Sequence, residues 1–118
     1  MKTIEQRRLE ILDWEKDNRN SNNRSVSDKN GLCVYSGPIG CGVGRLIEDK
    51  DLCYKLDEMP FSAVTCIFSS LPKDVRELGE DFLYSVQLFH DRKANWNENG
   101  LTSSGMETYD CLKKTYCS

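Results

Sequence analysis

The sequence predicts a mainly helical α+β domain with one small β-hairpin or short antiparallel sheet. Three observations predict it. Apolar residues recur at helical spacing, most clearly over 80–94 and again over 102–116. Cap-forming residues stand where such helices would open, as in Thr3-Ile4-Glu5-Gln6 and at Thr102. Between the helical segments, Leu32-Cys33-Val34-Tyr35 has strand composition and runs into a glycine turn. The 118 residues have room for one compact domain over 1–118. It divides into an N-terminal helix at 1–17, a polar loop at 18–30 and a core at 31–118.

Thr3 and Gln6 form a capping box, in which each side chain satisfies the other's backbone amide. The helix they open runs to about Asp17. Its apolar residues, Ile4, Leu9, Ile11, Leu12 and Trp14, cover a wide arc and not a narrow stripe. Such a helix can be covered on more than one side, by the domain core or by a second copy of the chain. Leu9 and Trp14 are therefore candidate self-association residues, with Trp14 the anchor. Residues 18–30 are rich in Asn and Ser, which bond their own backbone and favour turns. This loop docks through Val26, either as a linker or as a ligand-facing loop.

The strand at 32–35 is followed by the turn Ser36-Gly37-Pro38-Ile39-Gly40 and by a short helix from Gly40 or Cys41. Val43, Leu46 and Ile47 give that helix its spacing. Gly42 and Gly44 each cost it up to ~1 kcal/mol against alanine, which points to a close backbone approach. Residues 48–51 are a solvated connection, and Leu52, Cys53, Tyr54 and Leu56 show no clear period. Pro60 begins a helix with Phe61, Val64, Ile67 and Phe68 on one side, and Leu71-Pro72 breaks it. Pro72 suits the first turn of a further short helix holding Val75 and Leu78, which stops at a left-handed Gly79.

Over 80–94, Phe82, Leu83, Val86, Phe89 and His90 fall in one sector about 120° wide, with Gln87 on its edge. Tyr84 and Leu88 lie on the other side, which predicts burial on two faces. Residues 95–100 read as a polar loop. Thr102 then caps a last helix whose Met106, Tyr109, Leu112 and Tyr116 share one side.

Charge and composition exclude several functions. The net charge is −3, with no basic arm or patch, which argues against a general nucleic-acid binder. No stretch approaches the ~20 apolar residues of a membrane span. The N-terminus leads into charged residues, so no export is expected and a cytoplasmic setting is. There, thiols stay reduced. The six cysteines, Cys33, Cys41, Cys53, Cys66, Cys111 and Cys117, therefore read mainly as small buried apolar residues, with pairing left open. They contain no Cys-x-x-Cys pair and the chain has one histidine, so neither a metal site nor a cofactor is expected.

Three constellations could carry chemistry. The glycine run of Gly40, Gly42 and Gly44 with Arg45 could hold an anion on helix-terminal amides. It lacks the third glycine of a dinucleotide fingerprint and the ending of a P-loop. Cys41 at a helix start could form a stabilised thiolate, with His90 as its base. In that reading Asp91 points about 100° away from His90 and is not its orienting partner. Trp96, set among Asn95, Asn97, Glu98 and Asn99, could stack on a ligand; the alternative is that its ring folds back onto the core.

The segment Leu32-Cys33-Val34-Tyr35-Ser36-Gly37-Pro38-Ile39-Gly40-Cys41-Gly42-Val43-Gly44-Arg45-Leu46-Ile47 resembles a pattern of small uncharacterised bacteriophage and bacterial proteins. Their pattern has a Cys-x-Tyr strand, a glycine turn and then Cys-Ala-Val/Ile-Gly; Gly42 stands here in place of the alanine. The stretch Leu71-Pro72 to Leu78-Gly79, then Phe82-Leu83, Gln87, His90-Asp91, Asn95-Trp96 and Gly100-Leu101, is similar to the same group in the same order, over roughly residues 30–118. The resemblance implies a phage-type accessory protein acting in the host cytoplasm, of a kind that often antagonises host defence, with no agreed activity. The expected function is non-enzymatic binding of a host protein or a nucleotide-like small molecule, by a chain that associates with itself. The rival readings are a sponge for a nucleotide immune signal and a thiol enzyme using Cys41 and His90.

Overall fold

The computed structural model describes residues 2–23, Leu46 and residues 68–118. The strand expected at 32–35, the glycine turn, Val26 and the helix expected from Pro60 lie outside the described residues. Four α-helices and one two-stranded antiparallel sheet are described: α1 (Ile4–Asn18), α2 (Lys73–Arg76), α3 (Glu80–Asp91), β1 (Trp96–Asn97), β2 (Gly100–Leu101) and α4 (Ser103–Tyr116). Short 3-10 turns stand at Phe68–Ser70 and Lys93–Asn95. The protein is thus mainly helical with a small hairpin.

The capping box opens α1: Gln6 N–H donates to Thr3 Oγ1 at 3.1 Å, and Thr3 N–H donates to Gln6 Oε1 at 2.8 Å. Leu12 faces the core, while Leu9, Ile11 and Trp14 are half-buried and Ile4 is exposed. The core unites Leu12, Leu71, Val75, Leu78, Phe82, Leu83, Val86, Phe89, Trp96 and Tyr109. Each large apolar side chain buried there contributes ~1.5–3 kcal/mol. Phe82 meets the Tyr116 ring edge-on at 5.6 Å, and Phe89 meets Trp96 at 5.3 Å.

Pro72 precedes the first turn of α2, and Gly79 ends the turn that follows it. Gly79 has φ +95° but ψ 138°, so its backbone has positive φ without being the left-handed helical cap expected. A side chain there would be strained and would also press on Arg8 Nη2. Arg8 ties the α2–α3 turn to the end of α4. Its Nε donates to Leu78 O in that turn at 2.8 Å and its Nη1 to Tyr116 O at 3.1 Å, which places a cation on a carbonyl at the negative end of α4.

Two expectations need correction. Only one face of α3 is buried: Tyr84 is 37% and Leu88 44% exposed. Their spacing gives them a common outward face, and no described element packs over it. On α4, Met106 is also exposed, so Tyr109, Leu112 and Tyr116 carry the packing. The sheet, in turn, lies where a polar loop was expected. Trp96 pairs with Leu101 and Asn97 with Gly100 across a two-residue turn. Two-residue strands are too short to show a period of two.

A candidate binding groove between α3 and α4

The end of α3 exposes carbonyls that its own backbone cannot satisfy. Side chains from the following turn do so. Asn95 Nδ2 donates to Phe89 O at 3.0 Å, and Trp96 Nε1 lies within reach of both Phe89 O (3.2 Å) and His90 O (3.1 Å). Trp96 is 5% exposed. Its ring is a core anchor here and presents no open face for stacking.

The start of α4 then seats directly on that turn. Thr102 N–H donates to Asn95 O at 2.9 Å and Thr102 Oγ1 to Ala94 O at 2.6 Å, while Gly105 N–H donates to Thr102 Oγ1. A Cβ at Gly105 would lie 2.3 Å from Asn95 O, so glycine is what permits this approach. The seating holds α4 beside α3 and leaves a groove between them of about 170 Å³.

Ser85, Leu88, Phe89, Arg92, Asn95, Thr108 and Leu112 line the groove. Leu88, Phe89 and Leu112 make apolar walls. The hydroxyls are engaged: Ser85 Oγ with Tyr116 Oη at 3.2 Å, and Thr108 Oγ1 on Ser104 O. Arg92 is the only charged residue in the lining, is exposed, and has no ion pair or side-chain hydrogen bond among the described residues. Asn95 is fully buried, and its Oδ1 accepts no hydrogen bond. Flipping the amide would not help, because it would turn the oxygen towards Phe89 O. An unsatisfied buried acceptor costs ~1–3 kcal/mol and calls for an explanation.

A second polar cluster lies on the buried side of α3. His90 Nδ1 is 2.9 Å from Asp91 Oδ1, and Gln87 Nε2 donates to the same oxygen at 2.9 Å. This corrects the expectation that Asp91 points away from His90. The 100° step describes Cβ directions. Asp91 is the last residue of α3, and its short side chain folds back to the imidazole. The pair has the form of a base and its orienting carboxylate. The His90 side chain is nevertheless fully buried.

The other sequence candidates are placed as follows. Cys41, Gly40, Gly42, Gly44 and Arg45 lie outside the described residues. Trp14 is half-buried beneath the Arg19 guanidinium at 5.1 Å, and Arg19 makes a bidentate pair with Glu15, at 2.8 and 3.0 Å, both side chains being fully buried. Ser21 N–H donates to Asn97 O, which ties this end of α1 to the hairpin. Cys111 and Cys117 are free thiols. Among the described residues no group of His, Cys, Asp and Glu could hold a metal ion, and no helix is long and apolar enough to cross a membrane.

Sequence reasoning named Asn95 only as a neighbour of Trp96 and read Leu88 as part of a second buried face. The signal that could have found the groove is a pair of i, i+4 steps, Leu88 to Arg92 and Thr108 to Leu112, on two helices joined by a short hairpin. Compared with known proteins, the chain matches no family model, no curated protein and no solved structure.

Proposed function

We propose that the chain is a small non-enzymatic binding protein that engages a partner protein through the α3–α4 face. The observation that carries this reading is the pairing of outward apolar side chains, Tyr84 and Leu88, with a groove whose single charge, Arg92, has no partner among the described residues. Exposed apolar groups beside a concave site mark interaction surfaces. The resemblance read from the sequence supplies the setting: a phage-type accessory protein, with a bacterial host protein as partner and host defence as the process it opposes. Self-association through Leu9 and Trp14 belongs to the same reading, and sedimentation at micromolar concentration checks it. The test of the binding surface compares capture of bacterial proteins by the wild type and by Leu88→Asp, with circular dichroism to show an unchanged fold. The reading expects a protein held by the wild type and lost from the variant. Equal capture by both would refute it.

One observation favours a second reading. The bond between His90 and Asp91 supplies the base and orienting group that a thiol enzyme using Cys41 would need. Its test is the pH profile of Cys41 alkylation by iodoacetamide in the wild type and in His90→Gln. A rate no faster than that of an ordinary thiol would end it.

A further inference from the structure

We propose that a second copy of the chain docks antiparallel on the outward face of α3, with Asp81 of each copy against Arg92 of the other and Tyr84 against Leu88 between the two ion pairs. This rests on the reading of that face as a docking surface, and names the occupant it takes when no host protein is bound.

The order of side chains along the helix selects that occupant. Asp81, Tyr84, Leu88 and Arg92 follow one another at steps of three and four residues, so they fall in one sector about 80° wide. All four are exposed. Arg92 caps the helix, but its N–H still donates to Leu88 O at 3.0 Å, which keeps it in the helical register. Neither Asp81 nor Arg92 has an ion pair or a side-chain hydrogen bond among the described residues. Asp91 is nearby on the helix, but its carboxylate is already engaged by Gln87 and His90. The strip therefore reads acid, apolar, apolar, base. Read in the opposite direction, it is its own complement. A two-fold axis passing between Tyr84 and Leu88 brings each group to its counterpart, with the ion pairs at the two ends of a strip about 17 Å long. A parallel pairing would instead set acid on acid and base on base. The net charge of −3 puts little repulsion between copies at physiological salt. Because both copies use the same surface, the contact closes at a dimer. Four exposed side chains from each copy make a small interface, so the dimer forms at high concentration and yields the face to a tighter-binding host protein.

The test is sedimentation equilibrium of the full chain from about 10 μM to about 1 mM, the range in which a small, transient interface associates. The wild type should dimerise within that range. Asp81→Arg and Arg92→Asp should each dimerise at least about tenfold more weakly, since either reversal turns both attractions into repulsions. Mixed in equal amounts, the two variants should form a heterodimer as tight as the wild-type dimer, because every acid then faces a base again. Both reversals on one chain should restore the homodimer for the same reason. Circular dichroism melts check that each variant folds; if a reversal does not, Asp81→Asn and Arg92→Gln should each weaken the dimer by a smaller factor. A wild type that stays monomeric throughout, a dimer that the substitutions at Asp81 and Arg92 leave unchanged, or a mixture that associates no better than its components would overturn the proposal. So would a dimer lost only on substitution of Leu9, which would place the contact on α1. The dimer stands and the functional reading falls if the charge reversals behave this way while Leu88→Asp captures bacterial proteins as the wild type does. The functional reading stands and the dimer falls if Leu88→Asp loses its captured protein while the wild type is monomeric.

Discussion

Gly105 offers the sharpest check on how the groove is built. Alanine there would place its Cβ 2.3 Å from Asn95 O and 2.7 Å from Leu101 Cδ2. Leu101 can rotate aside. The carbonyl of Asn95 cannot, because Thr102 N–H bonds to it and the Asn95 side chain is fixed on Phe89 O. Since Cβ atoms essentially never approach within 3.0 Å, the start of α4 must retreat by roughly 0.7 Å. That lengthens the Thr102–Asn95 bond from 2.9 Å to beyond the usual limit of ~3.2 Å. Overpacking of this kind costs ~1–3 kcal/mol, and alanine returns at most ~1 kcal/mol through helix propensity. The expected net loss is about 1–2 kcal/mol, or roughly 5–10 °C in Tm for a domain of this size. Calorimetry of Gly105→Ala against the wild type measures it. An unchanged or raised Tm would refute the claim that this close approach seats α4.

Other perturbations probe separate parts of the structure. Burial and the hydrogen bond to Asp13 hold the Tyr109 phenol well above its ordinary pKa. Up to about pH 10 the phenol is neutral in both states and the stability is intact; above that the unfolded chain ionises first, and stability falls by up to ~1.4 kcal/mol per pH unit. Tyr109→Phe should lose about 1 kcal/mol at neutral pH and flatten that alkaline fall, whereas parallel urea midpoints for the two proteins from about pH 10 to 11.5 would contradict it. Glu15→Gln takes the carboxylate from a fully buried guanidinium and should cost about 3 kcal/mol. Combined with Arg19→Met, the loss should be clearly smaller than the two single losses together, as a double-mutant cycle in urea would show. Thr102→Ala removes the cap of α4 and should cost about 1 kcal/mol; a change below ~0.3 kcal/mol would show that the cap contributes little.

Local chemistry was legible where it acts alone. The Thr3–Gln6 box, the Thr102 cap and the buried sector of α3 all follow from short-range rules about orphan amides and helical period, whereas the helix expected to stop at Gly79 already ends at Arg76. The hairpin was not legible, because Trp96 is placed in it by carbonyls at the end of α3 and not by any alternation of its own. The groove was harder still. Leu88 reads as a core residue by type, and only the three-dimensional seating of α4 on Asn95 shows that nothing described covers it. Asn95 carries no sequence signal for an unsatisfied oxygen, since that is a property of its surroundings. The His90–Asp91 bond was misread for a related reason: periodicity describes where side chains leave the backbone, not where their tips arrive.

The central claim is that the α3–α4 face is where a partner protein docks. A photo-crosslinking residue placed at Leu88 tests it most directly, with the same residue at Asp17, exposed on α1 and outside the groove, as the comparison. In bacterial extract the account predicts a discrete crosslinked protein from position 88, absent from position 17. Crosslinks equal at the two positions, or found from position 17 alone, would contradict it.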